Sequence, residues 1–312
     1  MNKLYGFLII ACVLVVALLP QLLEARSKKS SCCSGSCCSS NCCPQQECAP
    51  TIKNPVQKLA DSQSSQTSDT KAIIREAYGT VAKEGTGCCG GCCGGGCDLS
   101  NTIGYTPEEL KMFADANLGL GCGHPVSLGY IKEGDVVVDL GSGAGLDCFL
   151  AARKVGASGK VIGVDMTPAM IEKARANAKT YGFKNVEFRL GDIESLPVES
   201  NSVDVIMSNC VINLAPQKHL VFKESARVLK SGGVMAVSDV VLLKDLTDAQ
   251  KKDSGLLCAC VSGALLKETY IGMLEKAGFA VTIISEDLEV NKKWFNSDAL
   301  PISSILFVAR KK

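Results

Sequence analysis

From Asp135 onward the chain alternates short apolar runs with amphipathic stretches. VVVDL (136–140), KVIGVD (160–165), NVEFRL (185–190), VDVIMS (203–208) and VMAVSDVVLL (234–243) are dense in β-branched residues and bounded by Gly, Asp or Ser. That pattern reads as strands buried on both faces. Helical periodicity separates them near 145–155, 168–181 and 217–229. Strand and helix in strict alternation predict a parallel sheet with helices on both sides. After a helical stretch at 267–277, AVTII (280–284) and SSILFVA (303–309) suit a closing antiparallel hairpin. The fold class is therefore α/β, one doubly wound domain over about 105–312.

The N-terminal third reads differently. Residues 4–19 are an uninterrupted apolar run behind Lys3, closed by Pro20 and followed by Arg26, Lys28 and Lys29. As a helix the run reaches about 24 Å, short of a hydrocarbon core of roughly 30 Å. Segment 1–26 thus fits a cleavable signal peptide or a retained membrane anchor with the remainder in the cytosol, and localisation stays open between them. Residues 27–70, rich in Ser, Gln, Cys and Pro, bury no core and read as a disordered linker. Segment 71–104 opens with a predicted helix over 71–83 and continues into a Gly/Cys-rich loop, and a second helix is predicted over 108–116.

Charge changes the picture little: 33 Lys and Arg against 32 Asp and Glu give +1, and no basic excess points to nucleic acid. Sulfur changes it a great deal. Of 18 cysteines, seven lie between Cys32 and Cys48, five between Cys88 and Cys97, and six are scattered. Adjacent pairs such as Cys32-Cys33 and Cys88-Cys89 are badly placed to bridge separate elements, so soft-ion binding is the better reading than a disulfide scaffold. Cys148 and Cys258 are read as a packed core thiol and a bystander. His219 falls on a helix face and is read as exposed.

The strand ends carry the candidate chemistry. DLGSGAGLD (139–147) places glycines at 141, 143 and 145 where the first strand must turn into a helix. The second strand ends in Asp165, suited to a ribose, and the third in Asp192, suited to an exocyclic amine. The GSGAG spacing is tighter than the dinucleotide fingerprint and favours a smaller nucleoside ligand. Here the chain resembles the class I S-adenosylmethionine-dependent methyltransferases, with their Rossmann-like sheet. That resemblance implies S-adenosyl-L-methionine as cofactor. Asp139, Gly141 and Gly143 would lie by its amino-acid part, Asp165 and Met166 by the ribose and adenine, and Asp192 and Ile193 by the adenine edge. Ser142, Gly145 and Asn209 complete the candidate contacts.

Three cysteines outside the clusters fall where substrate should lie: Cys122 in NLGLGCGHP, Cys210 in SNCVINL and Cys260 in CVSGAL. Three converging thiolates select a thiophilic centre, of which trivalent arsenic is one, pyramidal on three sulfurs with a lone pair left over. NLGLGCGHP, SNCVINLAP and CVSGAL together resemble the arsenite methyltransferases, particularly the bacterial type. The resemblance implies arsenic ligation by Cys122, Cys210 and Cys260, with trivalent arsenic or its glutathione conjugate as substrate. A further redox-active cysteine would fall in the 88–97 cluster, where Cys88, Cys89, Cys92, Cys93 and Cys97 are all candidates and the first four are also candidate arsenic ligands, and thioredoxin or glutathione would serve as thiol reductant. Two alternatives stand beside it: a methyltransferase of a small organic or lipid substrate, and a membrane-tethered thiol-rich metal-binding protein.

Overall fold

The buried runs become the centre of a seven-stranded sheet. In the computed structural model, which describes residues 66–84, 99–295 and 299–312, β1 (Val136–Leu140) lies between β2 (Lys160–Asp165) and β4 (Val203–Asn209). β3 (Val186–Leu190) flanks β2, and β5 (Leu229–Leu242) flanks β4, all parallel. β7 (Ile302–Lys311) and β6 (Phe279–Asp287) follow antiparallel, giving the order β3-β2-β1-β4-β5-β7-β6. Val137 and Val138 are both fully buried and belong to different apolar clusters, one on each side of the sheet. Hence the central strand sequence shows no alternation.

Crossover helices cover the two faces. α3 (Pro107–Met112), α4 (Leu146–Val155) and α5 (Pro168–Tyr181) contribute Leu110, Phe149 and Ile171 to one cluster. α6 (Lys218–Val228) and α9 (Lys267–Lys276) contribute Phe222 and Tyr270 to the other. Before them come α1 (Gln66–Glu84) and the single turn α2 (Leu99–Thr102). Two short helices, α7 (Asp248–Lys251) and α8 (Ser254–Cys258), lie between β5 and α9, and α10 (Val290–Phe295) lies between β6 and β7.

Several boundaries differ from the sequence expectation. α1 begins at Gln66, inside the stretch read as linker, because its first turn is polar and carries no apolar period. α3 stops at Met112, with a 3₁₀ turn at Ala114–Ala116, since Phe113 leaves helical geometry at φ −125° and ψ 44°. Its start is fixed by a capping box in which Thr106 Oγ1 accepts from the Glu109 N–H and the Glu109 carboxylate accepts from the Thr106 N–H. The closing antiparallel pair is present, but β7 inserts between β5 and β6 and α10 sits in the connection, so it is not a tight hairpin. Among the described residues no helix is long and apolar enough to cross a membrane. The expected leader 1–26, the linker up to residue 65 and the loop carrying Cys88, Cys89, Cys92 and Cys93 lie outside the described residues.

Candidate active site

The carboxyl ends of β1, β2 and β4 bring both candidate sites to one edge of the sheet. The turn after β1 holds Gly141, Gly143 and Gly145 at φ +70°, +52° and +100°, in the left-handed region that favours glycine. A Cβ on Gly143 would meet nothing within 4 Å, so this turn presents bare backbone to open space. The Gly143 N–H donates to Asp165 Oδ2 at 3.0 Å and the Thr167 N–H to Oδ1 at 2.8 Å. Burial raises the Asp165 pKa, opposed by those two donors, which aim the carboxylate along the strand end. Ser142 is buried and its Oγ has no hydrogen-bond partner within the described residues, which suits a polar ligand at this turn.

Asp139, expected by the amino-acid part of the cofactor, is buried at the end of β1. It is 3% exposed and accepts the Cys148 thiol hydrogen at 3.2 Å. Burial, then repulsion from Asp147, pushes its pKa well above the usual carboxylate range. Cys148 is thus buried as expected, but its thiol serves that carboxylate. Asp192 and Ile193 stand beyond β3, both partly buried. Asp192 Oδ2 pairs with Lys71 Nζ at 2.6 Å and Oδ1 accepts from the Glu194 N–H at 2.9 Å, so α1 reaches over this end of the site. Lys71 also pairs with Glu194, and Arg75 Nε donates to the Met166 carbonyl at 3.3 Å.

Cys122, Cys210 and Cys260 come together, all buried, in one apolar cluster with Ile74, Leu214, Val240 and Val261. The neighbouring Cys122 and Cys260 thiols, with burial, raise the Cys210 pKa well above the ordinary thiol value, and Cys122 Sγ lies 3.3 Å from Ser238 Oγ. Cys260 Sγ donates to the Cys210 carbonyl at 2.8 Å. Its own pKa is raised: the Cys210 hydrogen bond lowers it, and burial with the Asp239 charge outweighs that. Cys210 and Cys260 take φ of +59° and +63°, conformations uncommon for a residue with a Cβ. Strain of this kind clusters at functional sites. Cys258 is partly buried, with its carbonyl accepting from Tyr78 Oη at 3.1 Å. His219 is exposed.

Two asparagines that flank Cys210 tie the other thiol loops to it. Asn209, expected at the cofactor, has its side-chain Oδ1 accepting from the Cys122 N–H at 2.9 Å. Its Nδ2 faces the Gly123 carbonyl at 2.8 Å, Tyr105 Oη at 2.9 Å and Asp147 Oδ2 at 3.2 Å. Its polar groups are fully engaged. A Cβ on Gly121 would sit 2.7 Å from Asn209 Nδ2, which is why the Cys122 loop needs glycine there. Asn213 Nδ2 donates to the Val240 carbonyl at 2.6 Å and the Cys260 carbonyl at 3.3 Å. Sequence reasoning missed Asn213, the Tyr105–Asp147 pair and Asp239. The available signal was polar side chains inside runs otherwise apolar enough to be core.

The comparisons with known proteins bear on the family and the fold. Residues 131–278 match the family described as Methyltransferase domain. The chain is 44% identical over 254 residues to the arsenite methyltransferase of Halobacterium salinarum, covering 77% of this chain and 64% of that protein. It is 42% identical over 168 residues to that of Aquipseudomonas alcaligenes, covering 52% and 49%. CrArsM, an arsenic (III) S-adenosylmethionine methyltransferase from Chlamydomonas reinhardtii solved by crystallography, superposes with a TM-score of 0.54 at 33% identity, covering 69% of this chain and 72% of that one. The chain belongs to the arsenite methyltransferase family. It spans about half to two thirds of the length of these curated arsenite methyltransferases. Family and class I fold thus stand as the sequence motifs implied.

Proposed function

We propose that this chain transfers a methyl group from S-adenosyl-L-methionine to trivalent arsenic held by Cys122, Cys210 and Cys260. The observation that carries the reading is three buried cysteines, Cys122, Cys210 and Cys260, in one apolar cluster, with Cys210 directly after the carboxyl end of β4. The cofactor site fits such a nucleoside. The bare Gly143 turn, the unpartnered Ser142 Oγ and the backbone-aimed Asp165 would hold it. When bound, S-adenosylmethionine supplies an electrophilic methyl on a sulfonium centre.

The protein's part is to seize arsenic and keep water away. The neighbouring thiols and burial raise the Cys210 pKa, which favours its protonated form at rest. That suits arsenous acid, since each As–OH leaves as water with a thiol proton: As(OH)₃ and three R–SH give As(SR)₃ and three H₂O, with no charge left in the apolar pocket. The arsenic retains one lone pair, and Ile74, Val240 and Val261 exclude competing water. Arsenic is formally oxidised on gaining carbon, and a pair of thiolates returns two electrons by closing a disulfide. A dithiol or monothiol reductant, thioredoxin or glutathione, then reopens that bond for the next cycle.

The test incubates the 312-residue chain with arsenite, labelled cofactor and a dithiol, and separates the arsenic products by chromatography. Methylated arsenic should form, and Cys210→Ser should lower the rate by about 100-fold or more while S-adenosylhomocysteine binding stays unchanged. A Cys210→Ser variant working near the parent rate would sink the mechanism. So would X-ray absorption of the arsenite-loaded protein showing oxygen or nitrogen neighbours in place of three sulfurs.

A further inference from the structure

Beside the thiols lies a carboxylate that the arsenic chemistry does not use. Asp239, on β5, is fully buried. Its Oδ2 accepts from Tyr270 Oη at 3.0 Å and its Oδ1 from the Val240 N–H at 3.0 Å. Cys122 Sγ, Cys210 Sγ and a carboxylate oxygen of Asp239 all lie within 4.8 Å of one another. A buried carboxylate is expensive even with two donors, and this one also sits against two thiols.

We propose that the pocket accepts a second class of occupant: a thiophilic divalent cation of zinc or cadmium type, held by the Cys122 and Cys210 thiolates and closed by the Asp239 carboxylate. Zinc binds sulfur at about 2.3 Å and carboxylate oxygen at about 2.1 Å, so its tetrahedral donors stand roughly 3.5–3.8 Å apart, and the larger cadmium ion tolerates a wider set. The three donor atoms already lie within 4.8 Å of one another, so closing on an ion draws them inward. Trivalent arsenic prefers sulfur alone, whereas a borderline divalent ion takes mixed sulfur and oxygen sets. The two donor sets therefore share Cys122 and Cys210 and part at the third donor, Cys260 for arsenic and Asp239 for the cation. Tyr270 and the Val240 N–H orient the carboxylate as outer-shell partners do for metal ligands. Binding displaces the two thiol protons, and the carboxyl proton where present, into solvent. Two thiolates and a carboxylate offset the dication, and Lys218, buried on the Asp239 side, balances the residual negative charge. Because two donors are shared, the cation excludes arsenic while bound. Only this competition rests on the arsenic reading; the cation site itself does not.

The experiment uses the 312-residue chain and residue-specific readout, because the remaining cysteines also take up metal. Cys122 and Cys210 are alkylated with a maleimide under titration with cadmium ion alone or arsenite alone, and their peptides are quantified by mass spectrometry. Cadmium should protect both cysteines in the parent chain. Asp239→Asn should need about tenfold more cadmium or beyond, with the arsenite midpoint moving less than about twofold; Cys260→Ser should do the reverse. An unchanged cadmium midpoint in Asp239→Asn overturns the proposal, as does absence of cadmium protection in the parent chain. Should Asp239→Asn lose both occupants through misfolding, Tyr270→Phe decides. Weakening of cadmium alone supports the carboxylate as donor, and an unchanged cadmium midpoint overturns it. Cadmium protection without arsenite protection in the parent chain leaves this site standing and removes the arsenic reading.

Discussion

Asn213 joins two segments with one amide: its Nδ2 reaches the Val240 carbonyl on β5 and the Cys260 carbonyl beyond α8, while its own carbonyl accepts from Lys218 Nζ at 3.0 Å. Removing the amide leaves buried acceptors unpaired, at about 1–3 kcal/mol each. Asn213→Ala should therefore lower stability by about 2 kcal/mol and raise the arsenite KM by about tenfold, leaving the cofactor KM unchanged. Steady-state kinetics with each substrate varied, beside a denaturation curve, checks this; equal rises in both KM values would mean general loosening. SNCVINL already marked Cys210 in the sequence, because its Ser and Asn neighbours are not those of a core strand. Nothing in the sequence named the partners of Asn209 and Asn213, since residue types show bonding capacity and only three-dimensional placement shows with whom. The side-chain bonds of Asn209 to the Cys122 loop, Tyr105 and Asp147 were therefore not legible from its place in the sequence.

At the level of elements, the strands were legible wherever β-branched residues ran unbroken, and the helices wherever an apolar period lasted three turns. What escaped was short: α7, α8 and α10 have four to six residues, too few to show a period. The register of the last three strands was also hidden, because pairing order depends on contacts distant in sequence. α1 was visible as a helix, but its placement across the site was not. It bears on the site at three successive residue types: Lys71 on Asp192 and Glu194, Ile74 in the thiol cluster, and Arg75 on Met166. Burial alone would lower the Lys71 pKa, yet the hydrogen bonds and charges of its two carboxylate partners raise it overall. Lys71→Ala should release the first turns of α1. Deuterium uptake over residues 66–84 should rise by about threefold or more, and unchanged uptake would show that Ile74 packing alone holds the helix.

For the molecule as a whole, net charge near zero conceals an unusual internal distribution. Asp139, Asp147 and Asp239 are buried and Asp165 half-buried, all with raised pKa values, and Asp239 is pushed up to about 7 by burial, tempered by the Tyr270 hydrogen bond. A carboxyl raised in the fold binds protons that the unfolded chain has already released. Its stabilising share is complete below the unfolded value near pH 4 and is lost as pH rises through the folded value. The denaturation midpoint should fall between pH 5 and pH 8, and Asp239→Asn should flatten that fall; parallel pH profiles for parent and variant would refute the assignment.

The left-handed backbone at Cys210 and Cys260 sets two selective pressures against each other. Glycine would relax each position by about 1 kcal/mol or more, so any lineage or engineering campaign rewarded only for heat tolerance is pushed to discard these two sulfurs first. Persistence of cysteine there requires a chemical reward that outweighs a sturdier, inert protein.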